Sequence, residues 1–148
     1  MRVGSRVRGE RGSLALELVL LAPAILLLLA LIYAYGRVGQ VNGVMESGAR
    51  DAARSATIAR SMAEARDRAE RVVDDALAAA PASCRDHPTV TVSGGDAAHP
   101  NAFVPGGAIR VEVSCRYDVS DLGLPGAPGK LTARSSFTSM LDPYRGVE

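Results

Sequence analysis

Polar and apolar residues along this chain fall into stretches of different rhythm. Leu14 to Tyr35, LALELVLLAPAILLLLALIYAY, is a near-continuous apolar run of 22 residues, with Glu17 as the only ionisable side chain before the tyrosines. At about 1.5 Å per residue, a helix of that length spans roughly 33 Å, enough to cross a hydrocarbon core of about 30 Å. Further on the rhythm changes. Val41, Met45, Gly48, Ala52, Ala56, Ala59, Ala63, Ala69, Val73, Ala76 and Ala80 recur mostly every third or fourth residue, and Arg66, Asp67, Glu70, Arg71 and Asp74 fill the other face. That period predicts one amphipathic helix over 37–81, closed by Pro81. Spacings such as Glu64–Arg68 and Asp67–Arg71 add only about 0.2–0.5 kcal/mol each, so the charge run reads as a solvated face. A stripe rich in alanine lets its partner approach closely, which suits a sheet laid along a helix.

The period then shortens to two. Thr89–Ser93 is a short strand by its β-branched content, and Ala108–Val119 alternates strictly, with Ile109, Val111, Val113, Cys115, Tyr117 and Val119 against Arg110, Glu112, Ser114, Arg116 and Asp118. Such alternation means one face buried and one wet. Leu131–Phe137 supplies a third, weaker strand, and the Gly/Pro-rich segments Gly94–Gly107 and Ser120–Gly129 connect them. The expected fold is α+β: a long N-terminal helix, membrane-spanning in its first half, followed by a small antiparallel three-stranded sheet. The divisions are a leader over 1–12, a transmembrane helix over 13–36, an amphipathic helix over 37–81 and a β-rich domain over 82–148.

Charge sharpens the topology. The whole chain carries a net charge of +1 and is 47% hydrophobic, which excludes both a generally basic nucleic-acid-binding surface and a disordered chain. Arg2, Arg6, Arg8 and Arg11 against Glu10 give the first 12 residues a local +3, leaving −2 on the rest. Basic residues ahead of an apolar helix favour a cytoplasmic N-terminus and an exported C-terminus. The run is longer than the apolar region of about 7–15 residues in a secretory signal peptide, so a retained helix is expected.

Glu17 stands out because a carboxylate inside a bilayer costs on the order of 2.5–3.5 kcal/mol at mid-depth, less near an interface. Were the chain cut after Gly12, Ser13 would supply a free α-amine one helical turn from Glu17. In lipid, that amine on one subunit and the carboxylate on another could neutralise each other, and an unpaired Glu in the wrong register would stay costly. Pro23 removes a helix hydrogen bond and is expected to kink the run. Gly36, Gly39, Gly43 and Gly48 loosen the segment that follows, and Gly39 and Gly43 have a spacing that allows close helix packing.

A basic leader ending in Gly12, a small residue at Ser13, Glu17 at the fifth position after it and a long apolar helix containing Pro23 resemble the type IV pilin class III signal. More narrowly, RGSLALELVLLAPAILLLL is similar to the start of TadE-like proteins, minor pilins or pseudopilins of the Tad (tight adherence) pilus system. The resemblance covers residues 9–60 well and the rest in outline, and the helix-then-sheet order is pilin-like. It implies cleavage after Gly12 by a prepilin peptidase, a register role for Glu17, and a single-pass protein of the cytoplasmic membrane with its C-terminal domain outside. The implied partners are other pilin or pseudopilin subunits, the peptidase, the inner-membrane assembly platform and the membrane itself, with no nucleic acid. The alternative is an unprocessed single-pass membrane protein displaying a small envelope binding domain.

The only cysteines, Cys84 and Cys115, both lie on the side expected to be exported, where an even pair favours a disulfide. A competing tetrahedral zinc set would join them to His87 and His99, but His99 sits in a Gly/Pro loop and Cys115 on the buried face of a strand. No cofactor motif, phosphate loop, zinc-protease helix or nucleophile elbow occurs, and neither histidine has an evident nucleophile or paired carboxylate. The sequence predicts no enzyme, no metal and no cofactor.

Overall fold

The computed structural model describes residues 8–96, 99, 101–122 and 129–144, with the side chains of 8–14, 121 and 122 outside that description. Residues 1–7 of the expected leader and the loop segment Gly123–Pro128 therefore lie outside the described residues. The chain divides into two compact units at Gly36/Arg37. Helix α1, Arg8–Ala56, runs 49 residues through that division and through Pro23. Then come α2 (Met62–Leu77), α3 (Ala82–Asp86), β1 (Thr89–Gly95), β2 (Ala108–Asp118), a short 3-10 turn (Val119–Leu122) and β3 (Lys130–Met140). The α+β class and the helix-then-sheet order match the sequence expectation.

The single amphipathic helix expected over 37–81 is corrected: the chain leaves the helix after Ala56 and restarts at Met62. Local polar chemistry explains the break. The Thr57 hydroxyl donates to the Arg54 carbonyl at 2.7 Å, and the amides of Ile58 and Ala59 turn back three residues to Ser55 and Ala56. Side-chain bonds of this kind compete with the helix ladder. Ser61 then caps α2, its hydroxyl accepting from the Glu64 amide at 3.2 Å, while the Glu64 carboxylate accepts from the Arg60 amide at 2.8 Å. That reciprocal arrangement is a capping box, displaced by one residue on the return bond. The Arg60 amide bond, followed by the Arg68 guanidinium at 2.8 Å, holds the Glu64 carboxyl below its ordinary pKa.

The break also resets the buried stripe. On α1 it is Val41, Met45, Ala49, Ala52, Ala53 and Ala56; on α2 it is Ala65, Ala69, Val73 and Leu77, and Ala63 is exposed. Small side chains bring the two helices together: a Cβ added at Gly48 would lie 3.2 Å from that of Ala76. Pro81 does not close α2, which ends four residues earlier at Leu77; it precedes and caps α3 instead, its carbonyl accepting from Cys84 and Arg85.

The sheet has order β1-β2-β3 and is antiparallel throughout. Strand β2 buries Ile109, Val111, Val113, Cys115 and Tyr117 and presents its other face to solvent, as its alternation requires. Val119, expected within that strand, instead opens the 3-10 turn, with its amide bonded to the Gly129 carbonyl at 3.0 Å. Strand β3 is longer than Leu131–Phe137, because its full 11 residues pair with β2 from Asp118↔Lys130 to Ala108↔Met140. At the end of β1, Gly95 holds φ at +128°, and the His99 carbonyl occupies the place a side chain would need. Tyr117 is nearly fully buried, which raises its phenol pKa by desolvation.

Candidate functional site

The N-terminal unit is defined by what its side chains do not cover. Of the 18 large hydrophobic residues that are exposed among the described residues, 14 lie from Leu16 to Tyr35. Leu20 is 76% exposed and Tyr35 77%, and no residue from Ala15 to Gly36 is buried. A continuous apolar surface of this extent marks contact with lipid or with other proteins. Among the described residues one helix is long and apolar enough to cross a membrane.

Glu17 lies near the start of that exposed apolar surface, between Leu16 at 68% and Leu18 at 67% exposure. Its backbone sits one helical turn beyond Ser13, so the two share a face of α1. The side chains of Gly12 and Ser13 lie outside the described residues. Pro23 occupies the same helix further on, where it leaves the Val19 carbonyl without its usual amide donor. An isolated carboxylate on an apolar helix face can act as a single polar stitch: it tolerates only the packing that supplies a positive partner.

Beyond the apolar run, Gly36, Gly39 and Gly43 face open space, with nothing within 4 Å of where a Cβ would be. Among the described residues a close approach of two helices occurs instead at Gly48, five residues beyond Gly43. Arg37 donates from Nη1 to the Gln40 Oε1 at 2.9 Å, while its Nε is buried without a partner among the described residues, beside a cavity of about 270 Å³ bordered by Ala79, Ala80 and Pro81.

In the second unit, Cys84 of α3 and Cys115 of β2 form a disulfide, with Cα atoms 5.0 Å apart and a sequence separation of 31. Both are buried, and the Met45 sulfur of α1 lies 3.9 Å from that of Cys115. The bond therefore ties α3 to β2 at a point of the core where α1 also packs. With both sulfurs bonded to each other, the alternative zinc set loses its thiolates. Its histidines also part: His87 caps the end of α3, and His99 receives its contacts from Asp96, whose carboxylate accepts from the His99 amide at 2.6 Å. The capping box at Ser61–Glu64 is the local feature that the hydrophobic period missed, although the S-x-x-E spacing carries it.

No curated protein and no solved structure matches the chain. Residues 12–54, which hold Glu17, Pro23 and the exposed apolar surface from Leu16 to Tyr35, match the model of the family described as TadE-like protein, the family that the motif from Gly12 to Pro23 resembles.

Proposed function

We propose that this chain is a minor pilin or pseudopilin of a Tad-type pilus, processed after Gly12, that acts in pilus assembly or adherence. The observation that carries the reading is Glu17: one carboxylate on an exposed apolar helix face, one turn from Ser13, inside the segment that matches a pilin-type rather than an enzyme family. The basic residues Arg2, Arg6, Arg8 and Arg11 keep the N-terminus in the cytoplasm, and the disulfide-bonded domain faces outward. After a prepilin peptidase frees the Ser13 amine, Glu17 of a neighbouring subunit pairs with it and fixes the register of packing on the assembly platform.

Intact mass and N-terminal sequencing of the membrane-bound protein test the processing step. A mature start at Ser13 is expected; a start at Met1 overturns the pilin reading in favour of an unprocessed single-pass display protein. Glu17→Ala should leave membrane insertion intact and impair assembly, and normal piliation in that variant would remove Glu17 from the mechanism.

A further inference from the structure

The solvent face of the sheet orders its charges in a way the domain as a whole does not. Residues 37–148 carry 13 basic and 14 acidic side chains, a net of −1. On the wet sheet face, Arg110 and Arg116 of β2 and Lys130 and Arg134 of β3 are all exposed, against only Glu112 and Asp118. The register puts them in file: Lys130 lies opposite Asp118, and Arg134 opposite Ser114. Along the strand axis the four cations therefore follow one another at steps of about 7, about 7 and about 14 Å. Glu112 and Arg134 are committed to each other at 3.3 Å, and with Asp118 counted the face keeps a net +2. The Arg110 Nη2 donates to the Ser136 hydroxyl at 2.7 Å, which holds its guanidinium along the face.

At one end the row runs into a cavity of about 280 Å³ bordered by Ser83, His87, Arg116, Tyr117, Asp118 and Lys130. Arg116, Lys130 and Asp118 give that cavity a formal net +1, which complements a singly charged anion such as a carboxylate rather than a dianionic phosphate monoester. Between the cations the face carries hydroxyls, Ser114, Thr132, Ser136 and Thr138, and no aromatic ring. Stacking is what a sheet uses to hold the bases of a single-stranded nucleic acid, and it has no platform here. Hydroxyls alternating with cations suit a chain of sugars with repeated negative groups.

We propose that this face binds a linear carboxylated polysaccharide laid along the strands, with one carboxylate seated in the cavity between Arg116 and Lys130. The choice of an extracellular polymer rests on the reading above, in which the domain is exported; the binding surface itself does not depend on processing or piliation. The test uses the full chain in detergent micelles against immobilised alginate, with dextran as the neutral polymer and single-stranded DNA as a second polyanion. Alginate should bind and dextran should not, and the alginate affinity should fall at least ~10-fold between about 50 and about 200 mM salt. Replacing Arg110, Arg116 and Lys130 together by Gln should cost at least ~10-fold in affinity, whereas replacing Arg54, Arg66 and Arg71 of the helices by Gln, the same loss of charge, should leave it unchanged. Near-UV circular dichroism verifies that both variants keep the wild-type core. No alginate binding, equal losses in the two variants, or tighter binding of DNA than of alginate would each overturn the assignment. A mature start at Met1 sinks the pilin reading and leaves this binding result untouched, so the two failures are distinguishable.

Discussion

Removing the disulfide gives the most quantitative test of how the C-terminal unit, residues 37–148, is held. The chain-entropy relation for cysteines 31 positions apart gives about 12 cal/mol/K, or about 3.7 kcal/mol at 25 °C. A domain of this size is worth roughly 5–15 kcal/mol in total, so one covalent bond supplies a quarter or more of it. The core around it is thin, because seven of its twelve buried hydrophobic residues from Val41 to Cys84 are alanine: Ala49, Ala52, Ala53, Ala56, Ala59, Ala65 and Ala69. The perturbation is Cys84→Ala with Cys115→Ala, measured beside the reduced wild-type chain. Urea unfolding in detergent micelles, followed by the near-UV signal of buried Tyr117, should show the midpoint of both falling by about 2 M, for a slope near 1.5–2 kcal/mol/M. Agreement between the alanine variant and the reduced wild type separates the lost cross-link from the lost sulfur packing against Met45. A fall below about 0.5 M in both would refute the reasoning, since the unfolded chain would then gain little freedom from losing the bond.

Other substitutions probe the helices. Ser61→Ala removes the α2 cap and should lower stability by about 1 kcal/mol, read as a lower thermal midpoint. Gly43→Ala, with open space around it, should raise the midpoint through helix propensity worth up to about 1 kcal/mol, whereas Gly48→Leu should lower it by about 1–3 kcal/mol or more because its side chain runs into Ala76. Glu64 has a depressed pKa, so its contribution is present above the ordinary carboxylate range and is lost as pH falls through the folded value; Glu64→Gln should flatten the acid limb of a stability-versus-pH curve. Tyr117 has a raised pKa, so its contribution holds below the ordinary tyrosine range and is lost as pH climbs through the folded value; Tyr117→Phe should extend the alkaline limb.

Elements with one dominant physical cause were legible from the sequence. The strict alternation from Ile109 to Tyr117 can be satisfied only by a strand with one buried face, and β2 follows it closely. The apolar run with Glu17 is equally direct, because no folded core in this chain could absorb so many leucines. The helix break was not legible from period alone. Ala56, Ala59 and Ala63 continue a plausible helical stripe, yet Thr57 and Ser61 offer the backbone other partners, and Ala63 turns outward as a result. Strand β3 reads weakly since Ser135, Ser136, Thr138 and Ser139 carry little hydrophobic signal; its length comes from pairing with β2. The cation row was hidden for the same reason. Lys130 and Arg116 are distant in sequence, and only the register of β2 with β3 lines them up.

The placement of the disulfide also divides the sheet mechanically. The covalent loop from Cys84 to Cys115 encloses β1 and most of β2, while β3 lies wholly outside it and is held by its ladder with β2, by the packing of Ala133 and Phe137 on the core and by the Arg134–Glu112 pair, none of them covalent. A force applied along β3 loads that 11-residue antiparallel ladder in shear, with all its bonds resisting together, whereas a pull across the strands opens it one pair at a time. The domain should thus yield in two stages under tension, shedding its last strand first and keeping a cross-linked remnant that can re-form the sheet when the load is removed.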